Sequence, residues 1–472
     1  MKKTLALLLV VIAVCSVLTV HCARTINALS RDVSYTAVNE KGDRKLLEGI
    51  KIRTLIGAEW VLLWENTFEP FSSDISTDVS YIKTGLKYEA PKKFWGLSCM
   101  YYDHYSFRYE IPEYNDMLTE AENKLQDSYG EITVSCKLKD YYDYYPLFVQ
   151  LELPDFNMQI SMKSFEEYNS FYHHPDFPLD RADGFYEKLS DFIKIPVEEN
   201  EEISITVENS QYGISYSSDN IDNYCPEITN AVFDDRLYFS VSNVYEYEPG
   251  LYKLVDMSQI PGGNGIYTVA FSENDVFYEY MKNAFPLPDN CTVKGLYADK
   301  VNARLYVMLL ENGKYLLKVL DERTMTEISQ IELTDFYYSD WMSFSFEGDF
   351  AVFVKNDLEI ITVLIDEKGK LSKAQHYCFE TENEYDWYNY PYDADFAYTD
   401  GRLIVCIPDK AEFNNALGLY SGCGFDLFIF GSDDIEYYAR YVCSLSEYAR
   451  YKMSFTQSIN EKVSIELQNA AE

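Results

Sequence analysis

Four stretches decide the fold: Asp234-Asp235-Arg236-Leu237-Tyr238-Phe239, Asn302-Ala303-Arg304-Leu305-Tyr306-Val307, Glu347-Gly348-Asp349-Phe350-Ala351-Val352-Phe353 and Thr399-Asp400-Gly401-Arg402-Leu403-Ile404-Val405. Each is a polar turn running straight into apolar, β-favouring residues, as when a strand is entered from a tight turn. Downstream of each lies a second strand pattern, at 251–256, 316–321, 360–366 and 425–431. A third follows at 326–333, where polar and apolar residues alternate over much of the length. The expected product is a series of sheets, each of three or four antiparallel strands.

The spacing of the repeat carries the next step. From Leu237 to Leu305 is 68 residues, from Leu305 to Ala351 is 46, and from Ala351 to Leu403 is 52. The later two fit propeller blades of roughly 40–50 residues. The first leaves room for an insertion or a degenerate extra blade around Tyr267 to Tyr280. In this pattern of repeated strands, residues 225–450 resemble the β-propeller superfamily in its exported, PQQ-like or WD-like sense. The resemblance implies a ring of blades, completed by strands from the first half. It carries no function, because Trp-Asp and Gly-His blade signatures, a kelch di-glycine set and a quinone-binding pattern are absent from the sequence. A pair of β-sandwiches is the competing architecture.

Export is read at the other end of the chain. Lys2 and Lys3 precede an apolar run from Leu5 to Val20 broken only by Ser16 and Thr19, the order of a secretory signal or a short membrane anchor. Cleavage sites are offered by Ala13-Val14-Cys15 and by Val20-His21-Cys22, and Cys22 stands where a lipid-modified cysteine would, although His21 departs from that pattern. Residues 24–45 are polar and aperiodic, ending in Asn39-Glu40-Lys41-Gly42-Asp43-Arg44-Lys45, and read as a linker or an early exposed strand. From Gly49 to about Asn200, strand-length apolar runs alternate with two helix patterns. One lies near 114–126, with Met117, Ala121 and Leu125 four apart; the other lies near 184–194, with Asp183 as N-cap and Pro196 as stop.

Composition narrows the function classes. Hydrophobic residues at 47% and aromatics at 16% describe a packed chain, and 43 Tyr against 5 Trp suggest strands with one wet face. The formal charge of −37, near −39 once Lys2 and Lys3 are removed, repels nucleic acid and anionic lipid and favours calcium or basic partners. After Cys15 and Cys22, eight cysteines remain, spread singly with no Cys-x-x-Cys pair, so most read as small core hydrophobes.

The chemistry-bearing candidates are few. Gly262-Gly263-Asn264-Gly265 lacks the Lys-Ser or Lys-Thr of a phosphate loop and reads as a turn. His173-His174-Pro175-Asp176 is the one histidine cluster, and its adjacent imidazoles point apart, so no metal or cofactor is expected. The aromatic and acidic stretches 140–146 and 384–393 suit stacking on sugar rings with carboxylates bonding hydroxyls. The second supplies the candidate binding residues Tyr385, Trp387, Tyr388, Tyr390, Tyr392 and Asp393. Nucleophile-elbow, zincin and calcium-loop motifs are absent.

The sequence therefore predicts a mainly β protein with a signal or anchor over 1–22, a linker over 23–48, an α+β region over 49–205, a propeller-like domain over 206–455 and a tail or closing strand over 456–472. The expected role is extracytoplasmic binding or scaffolding of a protein, peptide or glycan on loops of the propeller, the protein being secreted or held at the outer face of the membrane. The competing role is a carbohydrate-active or other hydrolase using Asp and Glu.

Overall fold

The computed structural model describes residues 33–58, 62–81, 96–101, 111–126, 128–144, 147–153, 158–162, 188–189, 197, 199–217, 227–242, 262–272, 275–336, 342–356, 359–378, 394–408, 412–414, 419–421, 424–432, 434–444 and 459–467. The apolar run 5–20 and nearly all of the 184–194 helix pattern lie outside them. Among the described residues, no helix is long and apolar enough to cross a membrane.

Unbroken apolar runs in central strands such as 304–311 and 350–355, alternation in others such as 435–443, and short glycine or asparagine turns between them make almost every element a strand. In chain order these are β1 (Tyr35–Gly42), β2 (Ile50–Ala58), β3 (Leu62–Glu69) and β4 (Asp74–Tyr81). Then come β5 (Gly96–Tyr101), helix α1 (Pro112–Leu125), β6 (Gly130–Lys137), β7 (Leu147–Leu153), β8 (Met158–Met162), β9 (Glu202–Ser210) and β10 (Gly213–Ser217). The repeats begin with β11 (Glu227–Val232), β12 (Arg236–Ser242), β13 (Gly265–Ser272) and β14 (Asp275–Pro286), followed by β15 (Cys291–Asp299), β16 (Arg304–Glu311), β17 (Lys314–Asp321) and β18 (Glu327–Asp335). They continue with β19 (Met342–Phe346), β20 (Phe350–Lys355), β21 (Glu359–Ile365) and β22 (Leu371–Cys378). The chain ends with β23 (Asp395–Thr399), β24 (Arg402–Pro408), β25 (Glu412–Asn414), β26 (Leu419–Ser421), β27 (Gly424–Phe430), β28 (Ile435–Cys443) and β29 (Ile459–Leu467).

Contacts divide the chain into two compact units, one of Met1–Ala90, Trp341–Leu364 and Lys373–Glu472, the other of Pro91–Asp340 and Ile365–Ser372. In the second, β11-β12-β13-β14 and β15-β16-β17-β18 are four-stranded antiparallel meanders, each made from one continuous stretch. The β19-β20-β21-β22 sheet has the same order. Serial meanders of this kind are propeller-like, unlike the Greek-key strand exchange of a sandwich. The four repeat anchors hold equivalent places: Leu237, Leu305, Ala351 and Leu403 lie on β12, β16, β20 and β24, the second inward step of each sheet, and all four are fully buried. The long first interval contains β13 and β14, so it holds the remaining strands of a sheet already begun.

Two sheets of the first unit are completed from the opposite end of the chain. β1 joins β28 in the order β1-β28-β27-β24-β23, and β29 joins β2 in the order β29-β2-β3-β4. Their shared core includes Ile52, Trp64, Phe68, Phe425, Leu427 and Tyr441. The aperiodic stretch before residue 45 thus contains a strand with one buried end, Tyr35, and a mostly exposed remainder. Its register, not its own pattern, fixes it.

In the second unit α1 begins with Pro112 in its first turn and buries Tyr114, Leu118, Ala121 and Leu125. That face differs from the expected one at a single residue, since Met117 is 38% exposed. A stripe through 114, 118, 121 and 125 follows the 3.6-residue repeat more closely than one spaced strictly by four. The helix ends on Asn209 of β9, whose side-chain amide donates to the carbonyl oxygens of Leu125 at 2.7 Å and Ser128 at 3.3 Å.

Tyrosine is also used differently from the expected wet face. Tyr238, Tyr267, Tyr437 and Tyr441 are fully buried because their hydroxyls find partners: Tyr437 donates to Glu40 at 2.9 Å and pairs with Tyr441 at 2.8 Å. Cys291, Cys406 and Cys443 are buried, as small core residues would be. The glycine-rich stretch 262–265 is a turn tied down by Asn264, whose amide lies 2.6 Å from the Cys291 carbonyl oxygen.

Candidate functional site

In β2, Ile52, Thr54 and Ile56 face the core, so Arg53 and Leu55 must face the other way. The same alternation in β3 and β4 turns Glu65, Thr67, Ser76 and Asp78 outward. Register then sets them in rows. Leu55 is opposite Glu65, which is opposite Asp78; Ser464 of β29 is opposite Arg53, which is opposite Thr67, itself opposite Ser76. These side chains line an open groove of about 430 Å³.

The floor is rigid. Asn66 donates to Thr54 Oγ1 at 3.0 Å and accepts from Thr77 at 2.8 Å, and Thr54 is bonded to the Tyr35 hydroxyl at 2.7 Å. Above it the polar groups face solvent. Arg53 bonds Glu466 at 3.2 Å across β29, while half of each side chain remains exposed. Glu65 and Asp78 stand directly opposite each other, an arrangement that a sheet tolerates at a cost because like charges repel. One guanidinium, two carboxylates and three hydroxyls around a shallow groove form a set of donors and acceptors suited to a ligand rich in hydroxyls. Leu55 and Val463 add apolar surface to the lining.

The candidate binding residues Tyr385, Trp387, Tyr388, Tyr390, Tyr392 and Asp393 lie outside the described residues, as does His173-His174-Pro175-Asp176. Of the other aromatic stretch, Tyr141 and Tyr144 are 42% and 47% exposed on a turn after a short 3-10 segment. The groove was hidden in sequence because its polar residues are the ordinary outward half of three alternating strands. The β2–β3 and β3–β4 pairings set most of them side by side, and β29 adds Ser464 from the far end of the chain.

Glu359, His376 and Cys378 are a second gathering, with ligand atoms within 4.8 Å of one another. They do not form a nucleophile relay. Glu359 and Cys378 both approach the same imidazole nitrogen, Nε2, whereas a relay uses the two ring nitrogens on opposite sides. Burial, and then the Glu359 charge, hold the Cys378 thiol above its ordinary value, which disfavours the thiolate a nucleophile needs. The sequence signal was available as His-x-Cys on an alternating strand, which places both side chains on one face.

No protein-family model matches the chain, and no curated protein matches it. Among solved structures it is similar to the periplasmic gluconolactonase of Pseudomonas aeruginosa, at 10% identity and a TM-score of 0.32 over 83% of this chain and 96% of that one. It is similar to a putative 6-phosphogluconolactonase from Bacteroides uniformis, at 10% identity and a TM-score of 0.27 over 83% of this chain and 99% of the other. It also matches a prolyl endopeptidase at 9% identity and a TM-score of 0.25, with 82% of this chain covered but only 41% of that enzyme's length. At these scores the likenesses carry no argument about activity. What the chain's own sheets establish is a mainly β, propeller-like fold with no specific family.

Proposed function

We propose that this is an exported recognition protein that binds a glycan, with the groove over β2, β3 and β4 as its site. The observation that supports the reading is the outward row of Glu65 and Asp78 beside Arg53, Thr67, Ser76 and Ser464 in an open groove of about 430 Å³. Neighbouring carboxylates bond adjacent sugar hydroxyls in pairs, and an uncharged ligand avoids the repulsion that a chain of charge −37 imposes on anions. Export rests on Lys2, Lys3 and the apolar run to Val20. Protein or peptide ligands remain the other members of the same binding class, nucleic acid is disfavoured by charge, and membrane contact is assigned to the N-terminal segment alone.

The test is calorimetric titration of the purified full-length protein with a panel of neutral oligosaccharides. Binding of one sugar class, weakened at least about tenfold in an E65A/D78A double variant, supports the assignment; each lost pair of hydrogen bonds is worth on the order of 1–3 kcal/mol. Silence across the panel, or binding indifferent to the double substitution, defeats it. The facing carboxylates also favour a second reading, hydrolysis of the bound glycan, which release of new reducing ends would reveal.

A further inference from the structure

We propose that Glu359, His376 and Cys378 form a binding site for a zinc-type divalent cation, independent of the glycan groove. The site is built by strand geometry. On β22, Gln375 and Tyr377 face inward: the Gln375 amide donates to the carbonyl oxygens of Gly401 at 2.9 Å, Gly431 at 2.9 Å and Phe430 at 3.2 Å, and the Tyr377 ring packs 5.2 Å from Phe430. With those two residues anchored, the two-residue period turns His376 and Cys378 together to the outer face. Glu359 comes from β21, one strand inward in the same sheet.

The carboxylate is already oriented. Lys355, opposite Glu359 in the β20–β21 hairpin, lies 3.4 Å from Oε2 with its own side chain only 7% exposed. That leaves Oε1 directed at His376 Nε2, with which it is in hydrogen-bond contact. Cys378 Sγ stands 3.8 Å from the same nitrogen. Tetrahedral zinc, with bonds of about 2.3 Å to sulfur and about 2.0–2.1 Å to nitrogen, sets those two atoms about 3.6 Å apart. The sulfur and nitrogen are therefore near ligand separation before any ion arrives; the Glu359–His376 contact has to open to about 3.4 Å.

The donor types agree with the geometry. One thiolate, one imidazole and one carboxylate suit a borderline cation such as Zn²⁺, whereas Ca²⁺ and Mg²⁺ demand oxygen ligands throughout. Binding replaces the Cys378 thiol proton and the Glu359–His376 hydrogen bond by three metal bonds; the thiol proton goes to solvent, and the Nε2 proton is given up as the imidazole takes its Nδ1–H tautomer. Because His376 and Cys378 are exposed, a fourth position stays open to water. Zn²⁺, one thiolate and one carboxylate sum to zero, and Lys355 adds one positive charge beside them.

The experiment uses the purified full-length protein after dialysis against a chelator. Zn²⁺ is titrated in competition with a chromophoric chelator, and Co²⁺ is used to look for the thiolate-to-metal absorption that cysteine ligation produces. One ion per chain is expected, with that absorption present in the wild type and absent in C378S, and with affinity at least tenfold lower in each of C378S, H376A and E359Q. C136S, which alters a free cysteine elsewhere, should bind as the wild type does. Circular dichroism of the metal-free variants checks that they fold. No competition by the wild type, or a weakening of less than tenfold in any of the three ligand variants, overturns the site. Neither result bears on the sugar titration.

Discussion

Gly42 shows how much can rest on one residue. It sits at the end of β1 at φ +96°, and a Cβ there would fall 2.0 Å from the Glu436 carbonyl oxygen of β28. Gly42→Ala therefore combines positive-φ strain with a collision against backbone, and should cost on the order of 2–4 kcal/mol, read as a lower urea-unfolding midpoint. Gly313, at φ +74° with open space around its Cβ position, is the control. Gly313→Ala should cost only about 1–2 kcal/mol, the strain alone. Equal effects at the two glycines would mean that β1 is not seated as described. Nothing near Gly42 in the sequence announces this role. The residues 39–45 read as a charged linker because the strand that explains them, β28, is nearly 400 residues away. Glu40 is legible as an acid, yet not as the acceptor for the buried Tyr437 hydroxyl.

Elements whose partners are close in sequence were legible; elements whose partners are distant were not. The turn-strand units at 234–239, 302–307 and 347–353 each pair with the next strand along, and 399–405 pairs with β27 past the short β25–β26 hairpin, so apolar runs and turn chemistry suffice to find them. Most of the ligand groove lies on the consecutive strands β2, β3 and β4; what no local pattern encodes is β29 beside β2, which adds Val463 and Ser464. β29 also gives the prediction for this scale. It pairs with β2 from Ile50↔Leu467 to Ala58↔Ile459, and it turns Val463 and Ile465 toward the core while Glu466 faces outward. Ile465→Asp places a charge against that core and should cost several kcal/mol, lowering the thermal midpoint by many degrees and exposing the edge of β2 to aggregation. Glu466→Ala removes an exposed ion pair with Arg53 and should cost no more than about 0.5 kcal/mol. A strand whose inward and outward substitutions proved equally harmless would be a loose tail, not a sheet-completing element.

Over the whole molecule, the tyrosines couple the core to pH. Burial is the first cause that pushes Tyr238, Tyr267 and Tyr441 up to about 12, and it drives Tyr437 and Tyr114 upward as well. These residues belong to several sheets and to α1, so the effect is distributed and not the property of one site. Below pH 10 they are protonated whether the chain is folded or not, and their contribution to stability is fully present. Between about 10 and about 12 the unfolded chain gives up phenolic protons that the folded chain retains, so the unfolded state gains and stability falls with rising pH. Each such tyrosine removes up to about 1.4 kcal/mol per pH unit across that window. A formal charge of −37 acts in the same direction, since every phenolate adds to a surplus of negative charge. The urea midpoint should thus be flat from pH 8 to about 10 and then drop, with phenolate absorbance beyond that of exposed rings such as Tyr129 and Tyr212 appearing together with unfolding. In Tyr441→Phe, compared with its own midpoint at pH 8, the drop should be shallower, because one of the coupled protons is gone. Ionisation of all 43 tyrosines by about pH 11 with no accompanying loss of structure would show that the buried rings are reached by solvent in the folded protein, against the burial on which the prediction rests.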